Sequence, residues 1–505
     1  MDASVYTRAL RQRHVDGNDA DFERCSNASS FAGKLCLEDD GFTRPSPFTG
    51  AAALNFRNQF AILDQKGASI PFTAGAIYGS LDRTYTDTGS LGGTAQLAGD
   101  APLFGLKNYV TAGASLDHST IGFRSTSTLS RIFPDLSVAV DAALAGSGSI
   151  VHTNGNVGYA PVTLKGATDY YGFYAVDALD LTAELTLTVG LRVNAADIST
   201  ADRSGMAPEL TGVHGYAHLN PMAGIAYKLA DAITLFGGYS EANRAPTPLE
   251  LDCADATRPC LLEGSLVADP ALKQVVAHTG EVGARGTLMG AGGTFRWSAS
   301  LFRTDSGNDI VALASTIQGR GYFTNVAATR RQGIDLMGRF TAENWSAYIG
   351  YSFLDATYQF GGALASPNNP AADAAGNVAV APGRHIPLNP ANSVKAGGDW
   401  QMMPGLTFGA DLVFTGSQYY DGDHANQNAK LPSFATMSLH GAYAVGGGWQ
   451  IFGVVDNLFD SHAASFGTYF DPGDTTGLYT PALSDPRMIT RLQPISFQLG
   501  ARLAL

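Results

Sequence analysis

Few residues in this 505-residue chain are grouped so that they can do chemistry, and the densest set is Tyr419-Tyr420-Asp421-Gly422-Asp423-His424, followed by Asn426 and Gln427. Phenols, carboxylates, an imidazole and amides are all metal-ligand types. The same composition also describes a solvated loop tip, because Gly and Asp favour turns. We take the loop-tip reading over a metal centre, and keep Tyr419, Tyr420 and Asp423 as candidate contacts for a small ligand. Arg244 and Glu250 are the other two candidates. Together with Arg330, Arg331 and Asp335, they either meet a ligand or a neighbouring segment, or neutralise one another. His214 and His218 have the four-residue spacing of a zinc pair on a helix. On a strand they would stand about 13 Å apart, too far for one ion. No Gly-x-Ser-x-Gly elbow, phosphate-binding loop or paired-cysteine redox motif occurs, so neither an enzyme nor a cofactor is expected.

The four cysteines form two local pairs in polar sequence, Cys25 with Cys36 and Cys253 with Cys260. Neither spacing is that of a zinc knuckle, and no histidine lies between the paired cysteines. Two short disulfides and an oxidising compartment are the expectation. The first residues, Met1-Asp2-Ala3-Ser4-Val5-Tyr6, carry no basic and apolar leader. A segment addressing the protein to that compartment is therefore expected to lie outside this sequence.

The elements that must position these residues are announced by composition. Charged residues are only 15%, against about 25% in an ordinary globular protein. Glycine reaches 59 residues, yet hydrophobic residues stay at 45%. With 26 Phe and 20 Tyr the chain is not disordered, and a net charge of −13 argues against nucleic acid as a partner. No apolar run is long enough for a membrane helix. The primary signal is alternation. Leu185, Leu187, Val189, Leu191 and Val193 interleave with Thr186, Thr188, Gly190, Arg192 and Asn194. Leu406, Phe408, Ala410, Leu412 and Phe414 repeat the pattern, as do Ile495, Phe497, Leu499, Ala501, Leu503 and Leu505. Period two held for about ten residues describes a strand long enough to cross a bilayer at a tilt.

From residue 166 onward thirteen such strands are expected, beginning near 166, 185, 213, 233, 274, 294, 327, 346, 390, 405, 432, 449 and 491. Their connections alternate in length. The segments 181–184, 229–231, 289–293, 342–344, 403–404 and 446–448 are short. Between them, 197–212, 244–273, 306–326, 359–389, 419–431 and 461–490 are long and polar. Short turns at one end and long loops at the other are the layout of a transmembrane antiparallel β-barrel. In such a barrel every backbone group is satisfied within the wall, apolar residues face lipid and polar residues face the lumen. Trp345, Tyr348, Trp400 and Trp449 are expected in the interfacial girdles. Earlier segments near 3–12, 50–60, 76–87, 107–117 and 134–143 add weaker strands, for about 18–20 in all.

Several stretches then resemble one family in order along the chain. Asn220-Pro-Met-Ala-Gly-Ile-Ala-Tyr227, Gly237-Gly-Tyr-Ser-Glu-Ala-Asn-Arg-Ala-Pro-Thr-Pro-Leu-Glu250 and Asn325-Val326 with Thr329-Arg-Arg-Gln-Gly-Ile-Asp335 are similar to segments of the TonB-dependent outer-membrane receptors. Tyr351-Ser-Phe-Leu-Asp-Ala-Thr-Tyr358 and Val455-Asp-Asn-Leu-Phe-Asp460 continue the series. The resemblance implies a barrel that has 22 strands in its family form, a plug domain within it and a TonB box ahead of the plug. It also implies a bacterial outer-membrane location and uptake of a scarce ligand such as a metal chelate or ferric siderophore, powered by TonB, ExbB and ExbD. Residues 1–505 read as barrel from the start, since Tyr6 already lies in strand-like sequence. Plug, TonB box and signal peptide are thus expected to be absent from this sequence. A plug-free passive channel or a truncated non-transporting fragment is the alternative.

Overall fold

The structure is a computed structural model, and it describes all residues except 21, 38–47, 156–160, 207, 252–271, 291, 315–320, 473–480, 482 and 504–505. Its main sheet has 19 strands, three of them short segments outside the barrel wall. Sixteen of these are wall strands, each antiparallel to the next. The first five are β1 (Asp2–Asp19), β2 (Tyr78–Asp100), β3 (Asn108–Ile132), β4 (Val162–Asp180) and β5 (Leu185–Asp202). The wall continues through β6 (Gly212–Ala230), β7 (Ile233–Arg244), β8 (Val275–Gly290), β9 (Gly293–Ala314), β10 (Gly321–Ala342) and β11 (Trp345–Tyr358). It ends with β12 (Asn392–Met403), β13 (Leu406–Thr415), β14 (Phe434–Gly446), β15 (Trp449–Asp456) and β16 (Ser496–Leu503).

All thirteen strands expected after residue 166 are present, and the connections alternate as predicted. Those after β2, β4, β6, β8, β10, β12 and β14 are short, and those between are mostly long. At 447–448 the shortness is local chemistry: Gly446, Gly447 and Gly448 all take positive φ (104°, 58° and 81°), a conformation that costs other residues dearly. The connection expected at 306–326 spans only 315–320, because β9 and β10 run well beyond the apolar band. Between β1 and β16 no ladder exists among the described residues, so the barrel is not closed and β1 is exposed along most of its length.

Register fixes the faces. Val193 stands opposite Phe173 and Leu219, and Leu301 opposite Ile334, placing apolar residues of adjacent strands on one outer surface. Phe497 and Leu499 are 72% and 84% exposed there, a cost in water that hydrocarbon removes. Trp345 pairs with Trp400, and both join Trp449 next to short turns, as a girdle requires. Tyr348 does not join them. Three residues beyond Trp345 it points to the opposite face, where its hydroxyl donates to Asp411 at 2.5 Å.

The sequence before β4 departs further. Residues 50–60 are expected as a strand but begin with helix α1 (Gly50–Asn58), where Ala51-Ala-Ala-Leu54 favours helix. Of 134–143 only Val138–Ala139 pairs, because Asp135 turns the chain by accepting from the Ser137 amide at 3.0 Å. These segments build a cap over β2 and β3. Phe22, Leu35, Leu37, Ile62 and Ile70 pack on Leu129, Leu144 and Val151, with the Cys25–Cys36 disulfide beside them. Cys253 and Cys260, the second expected pair, lie outside the described residues.

Candidate functional site

At the long-loop end, the chain leaving β7 folds across the inner side of the wall. Ala245, Leu251 and Leu272 pack on Ala196 and Ile198, flanked by Tyr216, Ile310 and Phe323. Ile198 shares the face of Arg192 and Asn194 on β5, so this contact draws the short helix α2 (Pro248–Leu251) over the lumen. Two sequence candidates meet here. Arg244 donates from Nη1 and Nη2 to Oε2 and Oε1 of Glu250, at 2.8 and 3.0 Å. The Thr247 amide adds a third bond to Glu250 at 2.7 Å. Burial alone would push the Glu250 carboxyl up, but Arg244 and Thr247 outweigh it and hold the group below the usual carboxylate range.

Asp309 and Tyr170 lie close enough to act on the Arg244 charge. Asp309 arrives through a local twist. Asn308 has φ 51°, a left-handed conformation that Asn tolerates, and it reverses the face of the residue that follows. Below it, Asp305 accepts from Arg330 Nε at 2.6 Å on the outer face. Above it, Asp309 accepts from Arg331 Nη1 at 3.1 Å and from Thr329 Oγ1 at 2.6 Å on the inner face. Consecutive arginines thus serve opposite sides of one strand. Asp335, lower on β10, accepts from Ser352 at 2.6 Å.

Beneath the mouth runs a belt of amides. Arg192 donates to Ser115 at 3.0 Å and to Asn194 at 2.6 Å. Asn194 and Asn220 both donate to Asn243, which donates to Gln274 at 3.0 Å. The belt holds β3 and β5–β7 in place below the charged rim.

The Tyr419–His424 segment is a loop, as expected, but packed rather than solvated. Asp423 is fully buried and accepts the Gln427 and Asn428 amides, both at 3.0 Å. Tyr420 is buried against Tyr469, with ring centroids 5.5 Å apart. Tyr419 is partly exposed, stacked on His385 and capped by the Lys430 ammonium at 4.4 Å. His424 accepts or donates at 2.8 Å with the Tyr358 hydroxyl, and burial lowers its pKa to about 4. Asp309 lies close enough to act on both Tyr358 and Arg244. Sequence reading missed Tyr170, Asp309 and Tyr358; only the Asn308-Asp309 step, a left-handed-tolerant residue inside a strand, hinted at one of them. His214 and His218 lie on β6, as the strand argument required, and His218 pairs with Glu241 at 2.5 Å. Among the described residues, no group of three His, Cys, Asp or Glu is arranged to hold a metal.

A family profile described as TonB dependent receptor-like, beta-barrel, matches residues 7–458. The siderophore receptor PiuA from Acinetobacter baumannii is similar in fold, with TM-score 0.56 and 15% identity over 84% of this chain and 60% of that one. The copper transporter OprC gives 0.54 and 16%, over 83% and 60%. BauA, the ferric preacinetobactin receptor from Acinetobacter baumannii, gives 0.53 and 16%, over 85% and 56%. The chain therefore spans 60% or less of the length of these structures. No curated protein matches in sequence.

Proposed function

Because the chain belongs to the TonB-dependent receptor β-barrel family, we propose that it is the barrel of an outer-membrane receptor for TonB-driven uptake of a scarce ligand such as a ferric siderophore. The observation that carries this reading is the family match along most of the wall, joined to a charged, tyrosine-bearing mouth at the long-loop end. Arg244 and Glu250 on the inner side, with Tyr419 on its loop, are the ligand contacts we assign, while buried Tyr420 and Asp423 shape that loop. A chelate carrying oxygen anions would compete with Glu250 for the fork of Arg244, a geometry suited to bidentate recognition. The neighbouring tyrosines offer flat faces and phenolic donors. Transport by TonB, ExbB and ExbD would act through a plug seated in the lumen.

The test is uptake of radioactive iron, supplied as a panel of ferric siderophores, by iron-starved cells with and without the gene for this chain. Uptake of at least one chelate should require the gene and stop when a protonophore collapses the proton gradient. Uptake of every chelate that is unchanged without the gene, or indifferent to the protonophore, would overturn the reading.

A further inference from the structure

We propose that Arg285, Arg296 and Arg339 form a second anion-binding site, on the inner wall at the short-turn end of the lumen. Its ligand is a small molecule carrying two or more carboxylate or phosphate groups. The inference deepens the uptake reading and rests on it for a place in transport, but the site itself is argued from the wall alone. In the register, Arg296 of β9 stands directly opposite Arg339 of β10, and both project to the face away from Phe295 and Phe340. Arg285 of β8 pairs with Ser298, two residues from Arg296, and is therefore the diagonal neighbour of Arg296 on the same inner face. Like charges set directly opposite on a sheet destabilise the pairing. A bound anion removes that cost.

Other inward arginines are engaged: Arg244 with Glu250, Arg331 with Asp309, and Arg192 with Ser115 and Asn194. Among the described residues, none of the three lower guanidiniums has an ion pair or a hydrogen-bond partner. Arg285 only lies over the Phe236 ring, 5.7 Å from its centroid. All three line one concavity of about 470 Å³, to which Thr234, Thr287 and Ser298 add hydroxyls. Neighbouring carboxylates do not cancel the charge. Asp231 is the one acid in that lining, and Lys228 engages it at 2.8 Å. Glu281, Asp335 and Glu343 are each four positions along the chain from the nearest of these arginines, an interval over which a strand rises about 13 Å. Asp411 is three strands along the row from Arg339, about 14 Å, and takes the Tyr348 hydroxyl that lies between. Each guanidinium is a planar fork matched to a carboxylate or phosphate. A single carboxylate fills one fork, whereas a molecule with several also bridges the facing Arg296 and Arg339. Arg244 stands opposite Val275, ten residues from Arg285 and about 33 Å up the wall. An anionic chelate leaving the mouth would therefore meet a second set of forks at the far end of the lumen.

The test follows phenylglyoxal modification of each arginine in the full chain folded into phosphatidylcholine vesicles, read by peptide mass spectrometry, with citrate as the probe. Citrate should slow modification of Arg285, Arg296 and Arg339 about tenfold, whereas acetate at equal ionic strength should slow it little. Arg339→Gln should abolish the protection of Arg285 and Arg296. Because it removes a facing like charge, the same variant should keep or raise the urea midpoint of the chain without citrate. Arg339→Lys, which keeps the charge but not the fork, should lose most of the protection. Four results would overturn the proposal: protection no greater than at exposed Arg11, undiminished protection in Arg339→Gln, a lower urea midpoint in that variant, or protection by an oligoglutamate peptide where citrate gives none. The last would seat an acidic protein segment on these forks instead. Arg244 is read separately from the three lower arginines, so a chain that imports no iron can still show this protection, and one that lacks it can still import iron.

Discussion

His424 is a base without water to solvate its charge, and that gives the loop around it a pH dependence with a definite sign. Its folded pKa of about 4 lies below the value of about 6.5 expected of an unfolded histidine. Between those values the unfolded segment binds the extra proton, so the packing of the loop weakens as pH falls from about 6.5 towards 4. Amide exchange over 419–428, corrected for intrinsic rates, should show faster opening at pH 5 than at pH 7, and His424→Phe should remove the difference. Glu250 behaves as an ordinary depressed carboxylate. Its contribution is complete above the unfolded carboxylate pKa and is lost as pH falls through the lower folded value. Arg244→Ala should loosen α2 by about 1 kcal/mol, a modest figure because the Arg244 side chain is half exposed. Exchange of the Leu251 amide reads that loss. At this scale the sequence was only partly legible. It marked Arg244 and Glu250 through their family-like segment, but whether Asp423 faces solvent or its own loop depends on packing by Tyr358 and Tyr469, which lie 65 and 46 positions away in the chain.

Strands were the most legible elements, because lipid imposes one requirement on every second residue and no distant partner is needed to read it. That logic yields a paired prediction. Leu336→Arg, deeper in the apolar band, should impair insertion by about 2–4 kcal/mol, while Ser300→Arg, facing the lumen on the neighbouring strand, should cost little. The fraction of chain that folds into vesicles at graded urea measures both. Glycines within the strands carry a second kind of information that alternation cannot reveal. A Cβ on Gly333 would overlap the carbonyl oxygen of Phe353 on the adjacent strand, whereas one on Gly350 meets nothing nearer than 3.9 Å. Gly333→Ala should therefore weaken the β10–β11 pairing and lower the folded yield, with Gly350→Ala close to neutral. The misread elements have a common cause. Residues 50–60 sit in the cap, where burial comes from Leu129 and Val151 of other segments, so neither lipid nor period dictates their form. An alanine-rich start was then enough to decide for helix.

As a whole, the molecule is a long antiparallel wall with a disulfide-bound cap at one end, and among the described residues its two outermost strands have no ladder between them. Removing the Cys25–Cys36 bridge should cost the cap about 3 kcal/mol, by the loop-closure estimate for a bridge of this span, and leave the wall intact. Limited proteolysis under reducing conditions should then cut within 20–77 before it cuts any wall strand. Barrel architecture and connection pattern were readable in advance because they follow from the membrane as solvent. The cap was not, because its core joins two insertions separated by two whole strands. The arginine pair of β10 acts on the same large scale in a different way. A slip of one residue between β9 and β10 would exchange every lipid-facing and lumen-facing side chain. With Arg330 fastened to Asp305 on one side and Arg331 to Asp309 on the other, a slipped pairing forfeits both ion pairs at once. Arg330 and Arg331 therefore weight the native register of this hairpin from both faces at once, because each ion pair exists only in that register.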